Sequence, residues 1–362
     1  MRSFSSDSPA PNVATVDVFH LSRPSVLSAS VLLVAYNHEA FIEEALLSAL
    51  RQDIAGFELI IVDDASTDRT RTIIEEVLAR EGTAGIRVRT LFYERNLGVI
   101  AAVNAAMAAA TGDVFMIMAG DDYSLPDRLR RTLDIFAEDP AVQLVYGEVE
   151  LIDEHGATLR RAPLGGPPRY FSYDSWSRIY AGASPCGASA SYRRRLFDVF
   201  GPMIPGSHGE DNCYWVRGLL LGRICHDPAC HIRWRRHGAN LSNYQLGPGD
   251  HWRQRHLKWM SSHATMSVQW LADIAKAKEL GLISAWRAFH VRRSAVREDA
   301  TWALEVASLR PDPWTAWRRA AWQMIQVGRI STVLRMLRLR LSPVRREERW
   351  QVLAKLKSNG PV

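Results

Sequence analysis

The chain has 362 residues, 47% of them hydrophobic and 23% charged, with four cysteines and a formal net charge of +6. That length can bury one large core or two modest ones, the balance is that of an ordinary globular protein, and so few cysteines exclude a disulfide framework and favour a reducing compartment. The net charge hides an asymmetry: residues 251–362 hold 21 Lys and Arg against 8 Asp and Glu, the remainder is net acidic, and nine of the twelve tryptophans lie beyond residue 250.

In chain order, residues 1–27 carry Ser, Pro and Asp without a continuous apolar stretch, which reads as a flexible leader rather than a secretory signal. Ser28–Tyr36 is an apolar, β-rich run closed by Asn37 and His38, and Phe41–Leu50 repeats apolar residues at helical spacing. Phe57–Val62 is a second strand, and Asp68 is placed to cap a helix that runs through Arg80. A strand over Arg87–Phe92, an Ala-rich helix over Val99–Ala110 and a strand over Val114–Met118 follow. Pro126 opens a helix through Phe136, and Val142–Tyr146 makes a fifth strand. Apolar strands alternating with helices predict a mostly parallel sheet covered on both faces, an α/β fold of Rossmann-like type. Helices are expected over Arg194–Phe200 and Glu210–Leu220, and residues 246–362 read as a basic, Trp-rich helical region broken at Gly281, Pro311, Pro313 and Pro343. No stretch reaches the roughly 18 apolar residues of a membrane-spanning helix; Val99–Met118 is cut by Asn104, Thr111, Gly112 and Asp113.

Ligands of parallel sheets bind at the carboxyl ends of the strands, so the polar residues there are the candidates. Gly120-Asp121-Asp122 follows a buried strand directly, and paired carboxylates suit a hard cation, Mg²⁺ or Mn²⁺, held together with substrate phosphates; solvated loop acids are the plainer alternative. Asp63-Asp64 ends the second strand, where a carboxylate can accept from a nucleobase or simply organise a turn. Asn96-Leu97-Gly98, with Asn104 beyond it, either admits a ligand to the backbone or starts a helix. Glu210-Asp211, at a helix start, offers a general base for a hydroxyl or merely complements the helix dipole. Trp234-Arg235-Arg236-His237-Gly238-Ala239-Asn240-Leu241-Ser242 could meet a diphosphate through its basic and imidazole groups or form a surface loop.

Together, SVLLVAYNHEAFIEEALLSALRQ, FELIIVDDASTDRT, RNLG, GDVFMIMAGDDYSLPDRL, the Glu210-Asp211 pair and RRHGANLS resemble the family 2 glycosyltransferases of GT-A fold over roughly residues 28–245. The resemblance implies an inverting, metal-dependent enzyme that moves a sugar from a nucleotide-sugar donor, uridine favoured, to a glycan or other hydroxyl acceptor. It implies that Tyr36 flanks the base, that the backbone at Ala35 shapes its pocket beside Asn96, and that Asp64 binds the base edge. Asp121 would approach the ribose, while Asp122 and His237 would serve the metal and diphosphate. Asp211 would be the catalytic base, with Glu210 supporting it. Cys230 stands where processive synthases carry the Gln of Gln-x-x-Arg-Trp, which points to addition of one sugar or few. Ala119 stands where many relatives place a further Asp, which leaves metal dependence more open.

Polysaccharide or envelope glycan synthesis, and a cytoplasmic location with peripheral contact at the inner membrane face through the C-terminal region, are the accompanying expectations. That region reads as helices over the acceptor side, a surface for anionic lipid or a partner module, but most simply as a helical subdomain with core tryptophans and solvated arginines; no nucleic-acid module is recognised in it. Cys225, His226, Cys230, His231 and His237 are dense enough to suggest zinc, but match no common finger spacing. A non-catalytic or nucleotidyl-transferring protein on the same scaffold is the competing function; AYNHEAF lacks the Gly-rich phosphate loop that a nucleotidyltransferase would show.

Overall fold

Strand β1 (Ala29–Ala35) is an interior strand of the sheet, its side chains buried on both faces. Helix α1 (Ile42–Leu50), β2 (Glu58–Asp63), α2 (Thr70–Glu81), β3 (Arg87–Phe92), α3 (Val99–Ala109) and β4 (Val114–Ala119) then alternate as the apolar periodicity requires. After them come β5 (Tyr123–Ser124), α4 (Arg128–Glu138), β6 (Val142–Ile152), β7 (Thr158–Arg160) and β8 (Arg169–Phe171). A single 3₁₀ turn (Gly187–Ser189) leads into β9 (Ser191–Arg193), α5 (Arg195–Phe200), α6 (Glu210–Leu221) and β10 (Arg223–Arg235). Helices α7 (268–279), α8 (285–292), α9 (Trp314–Gln326) and α10 (Ile330–Leu341) complete the order. This computed structural model describes residues 27–83, 85–163, 165–172, 186–205, 207, 209–240, 268–292, 304, 314–326 and 330–341. The leader expected over 1–27 therefore lies outside the described residues except for Leu27, as do Leu241, Ser242 and the breaks at Pro311, Pro313 and Pro343.

The strands form one ten-stranded sheet of order β3-β2-β1-β4-β9-β6-β10-β5, with β7 on β6 and β8 on β10. β1 pairs parallel with β2 and β4, β2 with β3, and β6 with β10. β9 runs antiparallel between β4 and β6, so the six longer strands still share one direction and their carboxyl ends form a common edge. One core lies between the sheet and α1, α2 and α4, built on Ile42, Leu46, Ile74, Leu129 and Phe136. The other lies under α3, α5 and α6 and extends into α7 and α8 through Trp270, Ile274, Ile283 and Val291. Helices 268–292 are thus continuous with the core of the sheet domain.

Helix α6 is fixed by a buried ion pair. Arg217 of α6 donates from Nε to Asp273 Oδ2 of α7 at 2.8 Å and from Nη2 to Oδ1 at 3.2 Å, with the two side chains 0% and 3% exposed. Arg217 also donates to the Gly201 carbonyl and lies over the Tyr214 ring, so its charge is satisfied on every side.

Candidate active site

Two turns at the carboxyl edge clasp each other. Asn37, after β1, donates its backbone N–H to Ser66 Oγ at 2.9 Å and accepts the Thr67 N–H on its side-chain oxygen at 2.8 Å. The His38 N–H reaches Thr70 Oγ1 at 2.8 Å, and Asp68 accepts the amides of Glu39 and Thr70. Asp68 thus satisfies the start of α2 from one position before its backbone cap, Arg69. Among the described residues, the two non-glycines with positive φ, Asn37 (55°) and Ala65 (61°), both sit in these turns. Such conformations cost energy and persist where surrounding bonds impose them.

This frame leaves Tyr36 41% exposed at the cleft rim and keeps Ala35 buried, its carbonyl taken by the Asp64 N–H at 2.9 Å. Asp64 is 3% exposed, and its two oxygens each accept one amide, from Leu97 and Gly98, both at 2.8 Å. The second strand end and the Asn96-Leu97-Gly98 turn are therefore joined through one carboxylate, with Asn96 exposed beside it. Asn104 does not join the cleft: its amide brackets the backbone of Met203, donating at 2.8 Å and accepting at 2.9 Å.

Gly120-Asp121-Asp122 emerges from β4 within reach of three segments. A side chain at Gly120 would lie 2.8 Å from His38 Nδ1 and 2.9 Å from Ala35 Cβ, so only glycine lets the strands approach so closely. Asp121 Oδ2 lies 3.0 Å from His237 Nε2, 3.1 Å from Asn240 Nδ2 and 3.8 Å from His38 Nε2. Burial works to raise the Asp121 pKa, but the His237 hydrogen bond and both imidazoles bring it below the ordinary value. His237 is thus first of all a partner of Asp121.

Asp122, 4% exposed, accepts the Arg235 N–H on Oδ1 at 2.9 Å; burial, then the charge of Asp121, hold its pKa well above the usual carboxylate range. Two cations lie near it. Arg128 is fully buried and donates to the Ile117 and Ala190 carbonyls, its pKa lowered to about 10 by burial while the Asp122 charge opposes the shift. Arg235 is committed to structure: it donates to the Asp121 carbonyl at 3.0 Å, pairs with Glu44 and stacks over Phe41.

The second acid pair sits on the first turn of α6. Asp211 Oδ1 accepts the Asn212 N–H at 2.7 Å and the Asn212 side-chain amide at 3.0 Å, and the Gly187 backbone also donates to its carboxylate. Burial raises the Asp211 pKa against those bonds; burial and the neighbouring Asp211 push Glu210 up to about 7. The Cys186 thiol is raised to about 12 by burial, then by the charges of Asp122 and Asp211. The buried Tyr192 phenol is raised by burial and by Glu210 and Asp211 in the same way.

Of the residues marked in the sequence, the structure brings Asp121, Asp122 and His237 into one cluster, joins Asp64 to the turn after Asn96, and sets Glu210 and Asp211 at the same edge. It adds His38, Asn240, Arg128, Cys186 and Gly187, whose importance depends on partners far away in sequence. Among the described residues no three His, Cys, Asp or Glu converge on a metal position, neither at the zinc candidates nor at Asp121, Asp122 and His237. His226 pairs with Glu148 at 2.9 Å and His231 with Asp227 at 3.0 Å, while the Cys225 thiol is buried and raised to about 12.

Residues 30–201 match the model of Glycosyl transferase family 2. That segment belongs to the family 2 glycosyltransferases. An uncharacterised glycosyltransferase of Nostoc sp. is 30% identical over 220 residues, covering 59% of this chain and 66% of that protein. The succinoglycan biosynthesis protein ExoO of Rhizobium meliloti is 31% identical over 135 residues, covering 37% of each. The match therefore spans less than two thirds of the length of both relatives. In structure, residues 1–349 of TarS from S. aureus, crystallised with UDP-GlcNAc, share the GT-A fold at a TM-score of 0.60 and 18% identity, over 90% of this chain and 92% of that one.

Proposed function

We propose that this family 2 glycosyltransferase transfers a sugar from a nucleoside-diphosphate sugar, a UDP-sugar by preference, to an acceptor hydroxyl with inversion at the anomeric carbon. The observation that carries this reading is the placing of two acid pairs at one sheet edge: Asp121-Asp122 follow β4 directly, and Asp211 lies against Gly187 in the turn that leads into β9, the strand paired with β4. Asp211, anchored by Asn212 and Gly187, would take the proton of the acceptor hydroxyl as its oxygen attacks. Glu210 beside it would hold the acceptor. A single base that deprotonates the acceptor on the face opposite the departing diphosphate produces inversion.

Asp122 fits a divalent cation, Mn²⁺ or Mg²⁺. It is a buried carboxylate whose charge is costly, and no described donor occupies its Oδ2. One protein carboxylate together with diphosphate oxygens is an ordinary ligand set for such an ion. When bound, the cation would offset the charge gathering on the leaving diphosphate. Asp121, held by His237 and Asn240, would face the ribose. Asp64 would fix the wall of the base pocket through Leu97 and Gly98, with Tyr36, Ala35 and Asn96 around it.

The TarS complex with UDP-GlcNAc supports uridine, and the likeness to ExoO supports polysaccharide synthesis. Cys230 in place of the processive Gln supports non-processive transfer. We place the protein at the inner face of a membrane through its C-terminal region; among the described residues no helix is long and apolar enough to cross one.

The test is calorimetric titration with UDP, GDP and dTDP, with and without Mn²⁺, followed by transfer assays on two variants. Asp122→Asn is expected to weaken Mn²⁺-dependent UDP binding at least about tenfold, the loss of one charge-assisted ligand. Asp211→Asn is expected to keep UDP affinity and lower turnover by roughly 10²–10⁴, the range for a lost general base. Cation-independent UDP binding would remove the metal from the reading, and near-normal turnover of Asp211→Asn would move the base elsewhere.

A further inference from the structure

Helix α8 distributes its side chains in an unusual way. Its small residues, Ala288 and Val291, are buried with Ile283 in the core shared with α6, whereas its two largest, Trp286 and Phe289, are 67% and 58% exposed. Both rings gather on His290, with centroids 4.1 and 5.5 Å away, and Arg287 and Arg292 are exposed on the same helix. Since Ala288 and Val291 fix this helix to the core of the sheet domain, the aromatic face is a rigid feature of the body. Helices α9 and α10 repeat the chemistry. Trp322 and Ile325 are 61% and 40% exposed on α9, and Ile330, Leu334 and Leu341 are each more than half exposed on α10. Across the sequences of α8, α9 and α10 stand seven arginines and not one Asp or Glu.

We propose that these faces seat the protein on an anionic lipid surface, with Trp286 and Phe289 entering the headgroup layer and Arg287 and Arg292 meeting lipid phosphates. Aromatic and apolar side chains among arginines, without acids, are the composition of a helix that lies in a membrane interface. A bilayer asks for exposed apolar and basic side chains rather than for a complementary shape, and that composition stands on all three helices. A nucleic acid would use the arginines but leave Ile330, Leu334 and Leu341 in water. The proposal deepens the membrane part of the proposed function and rests on none of the cleft residues.

The full chain is sedimented with phosphatidylcholine vesicles and with vesicles containing roughly 30% phosphatidylglycerol, as anionic headgroups attract basic segments. Retention is expected on the anionic vesicles only, and release when salt shortens the reach of the charges to a few ångströms. Trp286→Ala with Phe289→Ala, and separately Arg287→Glu with Arg292→Glu, are each expected to lower retention at least about tenfold, the aromatic pair by losing apolar burial and the arginines by losing attraction. Mn²⁺-dependent UDP binding of both variants, measured in parallel, is expected to stay at the parent value, which shows that the fold is intact. Vesicle binding with no nucleotide binding would leave this proposal standing and sink the donor-site reading; the converse would do the opposite. Absence from anionic vesicles, equal retention on neutral ones, or retention untouched by either double variant overturns the proposal. So does self-association of the parent chain that the aromatic variant abolishes, because the face would then serve a second copy.

Discussion

Asp211 is held where it is by what its neighbours lack. A side chain at Gly187 would lie 2.7 Å from Asp211 Cβ and 2.9 Å from its Oδ2. Gly187→Ala should therefore displace the carboxylate while leaving the nucleotide side alone. Since misplacement by about 1 Å costs on the order of 10²-fold, turnover should fall by that much with UDP affinity unchanged. Transfer at the parent rate would show that Asp211 tolerates the shift. Glu210 gives a prediction in pH. Its pKa rises from the ordinary 4.5 to about 7 on folding, so the folded state holds the proton more tightly. Its contribution to stability is then complete below pH 4.5 and disappears as pH rises past 7. Glu210→Gln removes an ionisation that costs at most about 3 kcal/mol at 1.36 kcal/mol per pH unit. The variant should melt a few degrees above the parent at pH 8 and level with it at pH 4.5; equal melting at both would place Glu210 in water.

At this scale the sequence shows acids well and their partners poorly. Asp121 and Asp122 are legible because two carboxylates after an apolar strand demand an explanation. His237 and Asn240, which hold Asp121, stand 116 and 119 residues later, and nothing local in RRHGAN shows which acid they face. Gly187 lies in a small-residue stretch that looks like any loop. Its meaning depends on α6 arriving beside it.

At the scale of elements, β1, β2 and β4 were legible because their residues are almost all apolar and buried on both faces, and they, like the exposed edge strand β3, fall within a residue or two of the expected runs. The shorter strands were not. β5, β7, β8 and β9 have two or three residues each, too few for any period, and exist only because longer strands offer them an edge. β6 continues to Ile152, past the apolar run, because its second half is only half-buried and takes Glu148 and Glu150. β10 carries Pro228 inside it, which argues against a strand until the register shift between Asp227 and Cys230 absorbs the missing donor. Helix α6 supplies the prediction that belongs here. Asp273→Ala leaves Arg217 charged and 0% exposed without its partner, a change that costs about 3–5 kcal/mol for buried pairs. The melting midpoint should drop by several degrees, whereas replacing both residues with apolar ones should recover most of the loss. A drop below about 1 kcal/mol would mean that water reaches the guanidinium.

For the whole molecule, the change in composition near residue 250 suggests a boundary that the packing does not follow. The sequence turns basic and Trp-rich there, yet Trp270, Ile274, Ile283 and Val291 enter the same core as Leu219 and Leu220 of α6. Exposed charge reports on the outer faces of those helices, while their inner faces bury Trp270, Ile274, Ile283 and Val291 beside the Arg217–Asp273 pair. Fully burying a large apolar side chain stabilises by about 1.5–3 kcal/mol, so these four contribute roughly 6–12 kcal/mol as an upper estimate. Whole domains are stable by about 5–15 kcal/mol, so losing that contribution removes most or all of the margin. A chain ended after residue 245 should therefore fail to unfold cooperatively and should bind a hydrophobic dye, even though every acid of the cleft is present. The entropy of ordering the removed helices works in the other direction, so the outcome measures which term is larger. A sharp melt within a few degrees of the full chain would show that residues 28–245 fold by themselves and that the outer helices are carried rather than required.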